Sequence, residues 1–172
     1  MKKLMVALVL CAFSLLTYAQ SNPVIAAARD TLERRQKNLV EAAQEMPADK
    51  YGFKPTTAQM SFAHLVGHIT QSNNLLCSKI SGSAAPPQQV SDADPKEKLV
   101  NALKVSFDFC STALSQVGDA RLGDEVTLFG GRKATKAAAV IALTSDWADH
   151  YSAAAMYLRL NGLLPPTAKP KE

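Results

Sequence analysis

Four segments of the sequence carry apolar residues at spacings of three, four and seven, the pattern of helices with one buried face. The predicted helices are 22–46, 61–81, 95–117 and 135–162. Met46-Pro47 ends the first, because the residue before a proline is disfavoured in the helical conformation. Asp94 is expected to cap the third, and Gly162 to end the fourth. Apart from a short extended piece expected at 126–131, no convincing strand pattern competes, so the sequence predicts an all-α, four-helix bundle.

The first 19 residues have the pattern of a secretory signal peptide. Lys2 and Lys3 precede an apolar run over 4–16, and a small-residue cleavage site follows at 17–19. The run is too short for a stable membrane span. We therefore expect cleavage after Ala19 and a secreted or periplasmic protein, the alternative being an uncleaved anchor.

The expected domain organisation is simple. Residues 1–19 are the signal peptide, 20–164 the bundle domain and 165–172 a flexible tail. Cleavage leaves about 153 residues, which suits one domain.

Charge and hydropathy exclude two classes of partner. Loss of Lys2 and Lys3 lowers the formal charge from +4 to about +2, and no basic run is interleaved with aromatic residues, so nucleic acid is not an expected partner. No second apolar stretch is long enough for an integral membrane segment. A small-molecule substrate is expected, and a homodimer is compatible with such a bundle.

Cys77 and Cys110 suggest a topology. Each lies about 15 or 16 residues into its predicted helix, so the two depths match only if the helices are parallel. The linker 82–94 can span roughly 40 Å, enough to return along a helix. A disulfide between them would therefore imply an up-down-down-up order. Two buried free thiols are the alternative.

The candidate site lies on the second and fourth helices. Asp146 and His150 are four residues apart, which places them on one helix face. In an up-down-down-up bundle His68 comes within roughly 6 Å of His150 along the axis. Two imidazoles and a carboxylate suit a divalent metal ion such as Zn²⁺, Fe²⁺, Ni²⁺ or Mn²⁺. Alternatives are a surface Asp–His pair, a packed core His68, and Asp149 as a competing ligand.

Two stretches resemble a known family. FAHLVGHITQSNNLLCSKISG and HYSAAAMYLRLNGLLPP are similar to the DinB-like (YfiT-like) superfamily of metal-binding four-helix bundles. In that family one histidine usually comes from the second helix and an H-x-x-x-H pair from the fourth. The match implies His68 and His150 as ligands, with Asp146 at the position of the earlier histidine. It also implies the up-down-down-up order.

The resemblance leaves two classes of function open. One is a metal-dependent hydrolase or thiol-dependent transferase, in which the ion activates a water or a thiol. The other is a non-catalytic secreted bundle that binds a metal or a small ligand through a degenerate site. Catalytic residues beyond the metal ligands are not indicated. Neither a P-loop, a dinucleotide-binding glycine motif nor a serine nucleophile elbow occurs in the sequence.

Overall fold

The computed structural model describes residues 22–170. The predicted signal peptide lies outside this range and remains a prediction. Within it the chain forms four long helices and one short hairpin. These elements are α1 (Pro23–Glu45), α2 (Phe62–Ser81), α3 (Lys96–Ser115), β1 (Glu125–Thr127), β2 (Lys133–Thr135) and α4 (Lys136–Leu160). The four-helix prediction is confirmed.

The contacts between α2 and α3 show that these helices are parallel. The Asn73 side chain donates a hydrogen bond to Ser106 Oγ (2.9 Å). One turn further along both helices, Cys77 and Cys110 form a disulfide with a Cα–Cα distance of 5.2 Å. Because the second contact lies four residues further along both helices than the first, α2 and α3 run in the same direction. The predicted disulfide is therefore present in the structure, and it links the parallel helices α2 and α3 covalently.

The other helices run antiparallel to this pair. On α4, Trp147 contacts Asn73, whereas the later Tyr157 donates its hydroxyl hydrogen to the carbonyl of Met60, just before α2. On α3, Lys96 donates to the carbonyl of Gln44, near the end of α1. The predicted up-down-down-up order is confirmed.

The helix ends follow the local sequence with one exception. Ser61 Oγ accepts from the backbone N–H of His64 and caps α2. Gly162 (φ 75°) follows α4, and the N–H of Leu163 returns to the carbonyl of Leu158, which is the Schellman arrangement. The predicted Asp94 cap is wrong. Its carboxylate accepts instead from the backbone of Ser91 and from Lys98, and α3 begins after Pro95 without a side-chain cap.

The segment between α3 and α4 forms a two-stranded hairpin, where the sequence indicated a single extended piece. β1 and β2 pair antiparallel, with Val126 opposite Ala134. The turn between them carries Gly130 and Gly131, both at positive φ, the conformation that glycine adopts without strain. The extended piece expected over 126–131 is thus shorter and shifted, and it acquires a partner strand that the helical pattern did not predict.

The core fills the space between the four helices. Its largest fully buried side chains include Trp147, Phe62, Phe107 and Met46. Tyr51, from the connector after α1, donates its hydroxyl hydrogen to the carbonyl of Ala43. Burial raises the pKa of this phenol, so the group stays neutral. The connector is therefore part of the packed structure.

The chain after α4 also makes specific contacts. Thr167 exchanges hydrogen bonds with the Tyr151 hydroxyl, and Lys169 pairs with Glu45. The domain boundary at 164 and the flexible tail stay predictions. None of the helices within 22–170 combines the length and apolar character needed to cross a bilayer.

Candidate metal site

Three side chains that the sequence singled out meet between α2 and α4. His68 projects from α2, and Asp146 and His150 project from successive turns of α4. One potential ligand atom from each lies within 4.8 Å of the other two. The two imidazole rings are 4.9 Å apart between centroids, with their planes at 49°. All three residues are partly buried, so the antiparallel packing forms a small polar cluster at the bundle surface.

His150 is oriented by its own helix. Its Nδ1 lies 2.7 Å from the carbonyl oxygen of Asp146. Because a carbonyl can only accept, Nδ1 carries a hydrogen, and in the neutral ring Nε2 therefore keeps its lone pair. Metal-bound histidines commonly use the second ring nitrogen in this way, which fixes the tautomer. The ring therefore presents a potential ligand atom without rearrangement of its tautomer.

The Asp146 carboxylate lies beside the same ring. Its Oδ2 is 3.3 Å from Nδ1 of His150, and only 16% of the His150 side chain and 19% of the Asp146 side chain are exposed. The single hydrogen on Nδ1 is used in the shorter bond to the carbonyl. Oδ2 is thus buried without a hydrogen-bond partner among the described residues. An unpaired buried carboxylate oxygen is costly, and it can be stabilised by a cation.

The surroundings shift the pKa values of the two histidines in opposite directions. The Asp146 carboxylate, whose Oδ2 lies 3.3 Å from Nδ1, raises the pKa of His150, against the burial that lowers it. Burial lowers the pKa of His68, and the neighbouring His150 acts in the same direction. A neutral imidazole is the form that binds a metal ion. His68 is therefore favoured in its ligand form, whereas the charge of Asp146 favours the protonated form of His150.

The three residues fit a divalent ion. Ligand atoms about 2.0–2.2 Å from an ion are roughly 3–3.5 Å apart in tetrahedral or octahedral geometry. The observed separations of up to 4.8 Å therefore need a closure of at most about 1.5 Å, which side-chain rotation can provide. Two nitrogen donors, one anionic oxygen and the unpaired Asp146 Oδ2 form a suitable donor set. Three protein ligands would leave positions open for water or substrate.

A buried polar contact holds α4 in this orientation. Trp147 directly follows Asp146, and its indole N–H donates to Asn73 Oδ1 at 2.6 Å. The amide of Asn73 donates in turn to Ser106 Oγ. Trp147, Asn73 and Ser106 are all fully buried. Because this chain of bonds fixes the rotation of α4 against α2, it helps to direct Asp146 and His150 toward His68.

The sequence reasoning did not single out Asn73. A signal was present, because Asn73 lies four residues after Ile69 and four before Cys77, on the apolar stripe of α2. A polar residue at a core position needs a buried partner. The sequence could not show that this partner is the indole of Trp147.

Two ionisable residues on the same helices, His64 and Asp149, lie outside the cluster. His64 is exposed, and its Nδ1 contacts the Asp92 carboxylate at 3.0 Å. Its ring is 6.5 Å from that of His68. Asp149 is exposed and lines a neighbouring cavity together with His150. The cluster of potential ligands in the described part of the chain contains neither residue.

Comparison with known proteins identifies the family. The sequence model of the DinB superfamily matches residues 31–153, which include all three cluster residues. The chain belongs to the DinB superfamily. No curated protein sequence matches it.

Solved structures share the DinB fold at low sequence identity. A DinB-like protein from Bacillus subtilis is 24% identical, with a TM-score of 0.67 over 84% of this chain and 99% of that protein. One from Bacillus cereus is 13% identical, with a TM-score of 0.64 over 77% and 89%. A mutant form of a mycothiol-dependent maleylpyruvate isomerase is 11% identical, with a TM-score of 0.61 over 74% of this chain and 59% of the isomerase. At these identities the likeness shows the fold.

Proposed function

We propose that this DinB protein binds one divalent metal ion through His68, Asp146 and His150. We further propose that the bound ion serves a hydrolase or a thiol-dependent transferase reaction. The main support for the metal site is that three potential donor atoms, from two separate helices, lie within 4.8 Å of one another. The unpaired, buried Oδ2 of Asp146 supports it, because a carboxylate in that position is stabilised by a cation.

The residues of the chain have distinct roles in this proposal. His150 donates its Nδ1 hydrogen to a backbone carbonyl, which leaves Nε2 as the ligand atom. Asp146 supplies negative charge, and His68 closes the site from the opposite helix. When bound, a divalent ion supplies Lewis acidity that lowers the pKa of a water or thiol at an open position. Zn²⁺, Ni²⁺, Fe²⁺ and Mn²⁺ all suit this donor set.

The choice between water and thiol chemistry is left to activity screens. One solved relative is described as mycothiol-dependent, which motivates testing thiols first. At 11% identity this likeness carries only the fold, so hydrolase substrates belong in the same screen.

A non-catalytic function is the competing proposal. Its basis is the direct contact between Asp146 and His150, which lets a protonated imidazole neutralise the carboxylate without any metal. The cluster would then stabilise the bundle or bind a small ligand. The number of ions bound per chain distinguishes this metal-free form of the proposal from the first, whereas a non-catalytic bundle that binds a metal is distinguished by its lack of hydrolase and transferase activity.

We also propose that the protein is exported. The signal-like sequence at 1–19 motivates this, and the Cys77–Cys110 disulfide supports it, because such bonds persist in oxidising compartments. N-terminal sequencing of protein recovered from the periplasm or medium of an expressing cell tests it. A first residue of Gln20 is expected, and retention of the full-length chain in the cytoplasm would contradict it.

Metal analysis of purified protein tests the ion site. The protein should be prepared without chelator or nickel resin, and elemental analysis should find close to one ion per chain. His150→Ala and Asp146→Ala should each lose it. His64→Ala is the matched control, because it removes a histidine from α2 outside the cluster, and it should retain the ion. A wild-type protein that takes up no added Zn²⁺, Ni²⁺ or Mn²⁺ would refute the metal proposal.

A further inference from the structure

A cavity of about 390 Å³ lies against the candidate metal site. It is formed where the connector before α2 faces the second half of α4, and His150 forms part of its wall. Most of its lining is apolar. The apolar lining residues are Ala58, Met60, Leu65, Ala153, Met156 and Tyr157.

The cavity has a fixed wall and adaptable edges. Tyr157 donates its hydroxyl hydrogen to the carbonyl of Met60 at 2.6 Å, which ties the connector to α4. Leu65, fully buried, lies at its base. Met60 and Met156 are 39% and 42% exposed, although they are large apolar side chains. Two exposed methionines from different elements, facing one cavity, are typical of a surface that adapts to an apolar ligand.

The fixed charge in the cavity wall is negative. The Asp149 carboxylate lines the cavity, next to His150 in the sequence. Among the described residues that line the cavity, none is a lysine or an arginine, and His150 is the one side chain that can become cationic. While His150 is neutral, as it is when it serves as a metal ligand, an anionic ligand would meet the Asp149 carboxylate and no positively charged side chain, which disfavours its binding.

We propose that the cavity binds the apolar, non-anionic part of the substrate and places its reactive group beside His150. This inference rests on the proposed function, which it deepens by naming the substrate class. The volume suits a substituted aromatic ring or a short alkyl chain. The preferred substrate or thiol is accordingly a neutral apolar molecule rather than a strongly polar, acidic one.

A second apolar groove is an alternative binding site for an apolar ligand. It lies between the first halves of α1 and α4, away from the site, with a volume of about 410 Å³ and with Ala27 and Ile141 in its wall. A useful experiment must separate the two. Phenylalanine substitutions at Ala153 and at Ala27 make a matched pair, since each adds the same ring to one groove.

The first experiment uses metal-free protein and two fluorescent probes that share one ring system. N-phenyl-1-naphthylamine is neutral, and 8-anilinonaphthalene-1-sulfonate carries a sulfonate. The wild type should bind the neutral probe more tightly than the sulfonate probe. Asp149→Asn should reduce this difference in affinity by improving binding of the sulfonate probe. Ala153→Phe should weaken the neutral probe by at least about tenfold, and Ala27→Phe should leave it unchanged.

Two outcomes would overturn the inference. One is probe binding that survives Ala153→Phe or is lost in Ala27→Phe, and the other is equal or tighter binding of the sulfonate. Circular dichroism and thermal unfolding establish whether each variant folds. If Ala153→Phe fails to fold, Met156→Glu replaces it, because this half-exposed position tolerates a charge, and the same weakening of the neutral probe is expected.

The second experiment connects the cavity to the metal site. Protein loaded with Co²⁺ is titrated with benzyl mercaptan and with 2-mercaptoethanesulfonate, and the thiolate-to-cobalt absorption band is followed. Benzyl mercaptan should bind at least about tenfold more tightly, and Ala153→Phe should remove that preference. Equal affinities would refute the link. Absence of Co²⁺ uptake would refute the proposed function, while the fluorescence result would still decide the cavity.

Discussion

The imidazole rings of His68 and His150 lie 4.9 Å apart between centroids, although they belong to different helices far apart in the sequence. Their proximity depends on the antiparallel packing of α2 and α4. His64, one turn earlier on α2, is directed instead to Asp92. The two α2 histidines therefore form a natural pair for mutagenesis, one inside the cluster and one outside.

Ion binding should stabilise the folded protein. Zn²⁺ at about 100 times its Kd should add about 2.7 kcal/mol to the free energy of unfolding. For a domain of this size the melting temperature should rise by roughly 5–10 °C. Differential scanning calorimetry should show the rise in wild type and in His64→Ala, and none in His68→Ala. An equal rise in His68→Ala would show that zinc binds elsewhere.

The Asp146–His150 pair should stabilise metal-free protein mainly at low pH. The pKa of His150 is raised in the folded state by the Asp146 carboxylate. The stabilisation is therefore fully present below the unfolded histidine pKa of about 6.5, and it is lost as the pH rises through the folded pKa. Asp146→Asn should cost roughly 0.5–1 kcal/mol at about pH 5.5 and less at about pH 9. Urea denaturation with chelator present measures the loss of unfolding free energy at both pH values. A loss that grows as the pH rises would contradict the stabilising role of the Asp146–His150 pair at low pH.

The disulfide should make a large contribution to stability. Cys77 and Cys110 are 33 residues apart in sequence, so the bond restricts a long loop in the unfolded chain. The double variant Cys77→Ala/Cys110→Ala should lose about 3 kcal/mol of unfolding free energy. The wild type after reduction should unfold at a similar denaturant concentration. Thiol titration of the denatured, unreduced protein lacking residues 1–19 should find no free thiol, and two would refute the bond.

Asn73 should stabilise the bundle through Trp147. Asn73→Leu keeps a similar volume but leaves the buried indole N–H without an acceptor, so the free energy of unfolding should fall by about 1–3 kcal/mol. Trp147 is the only tryptophan, so its fluorescence reports the change directly. Asn101→Leu, at an exposed position of α3, is the control and should change stability by less than about 0.5 kcal/mol. Equal effects at the two positions would contradict the role of the Asn73–Trp147 bond.

Much of the scaffold follows from local sequence. Helical periodicity, the Ser61 cap and Gly162 fix the extent of three helices to within about two residues. The matched depths of Cys77 and Cys110 pointed to parallel middle helices. The spacing of Asp146 and His150 placed both on one face, the depth of His68 in α2 placed it near His150, and the resemblance to the DinB superfamily implied the same three residues.

Other features depend on choices that the local pattern leaves open. Asp94 looked like a cap, but its carboxylate bonds to Ser91, three residues before it, and to Lys98, four residues after it. β1 acquires a partner in β2 because the turn after Leu128 reverses the chain. In both places several hydrogen-bonding arrangements are locally compatible, and the path of the surrounding chain selects one.

The sequence by itself determined the helices, their buried faces and the residue types available for a metal site, because these depend on spacings within one or two turns. Only the tertiary structure decided that Asn73 accepts from Trp147, that Oδ2 of Asp146 is left unpaired, and that Met60 and Met156 face one cavity beside His150. These relationships join atoms on separate elements. They depend on the rotation and separation of packed helices, which side-chain interdigitation sets across the whole core.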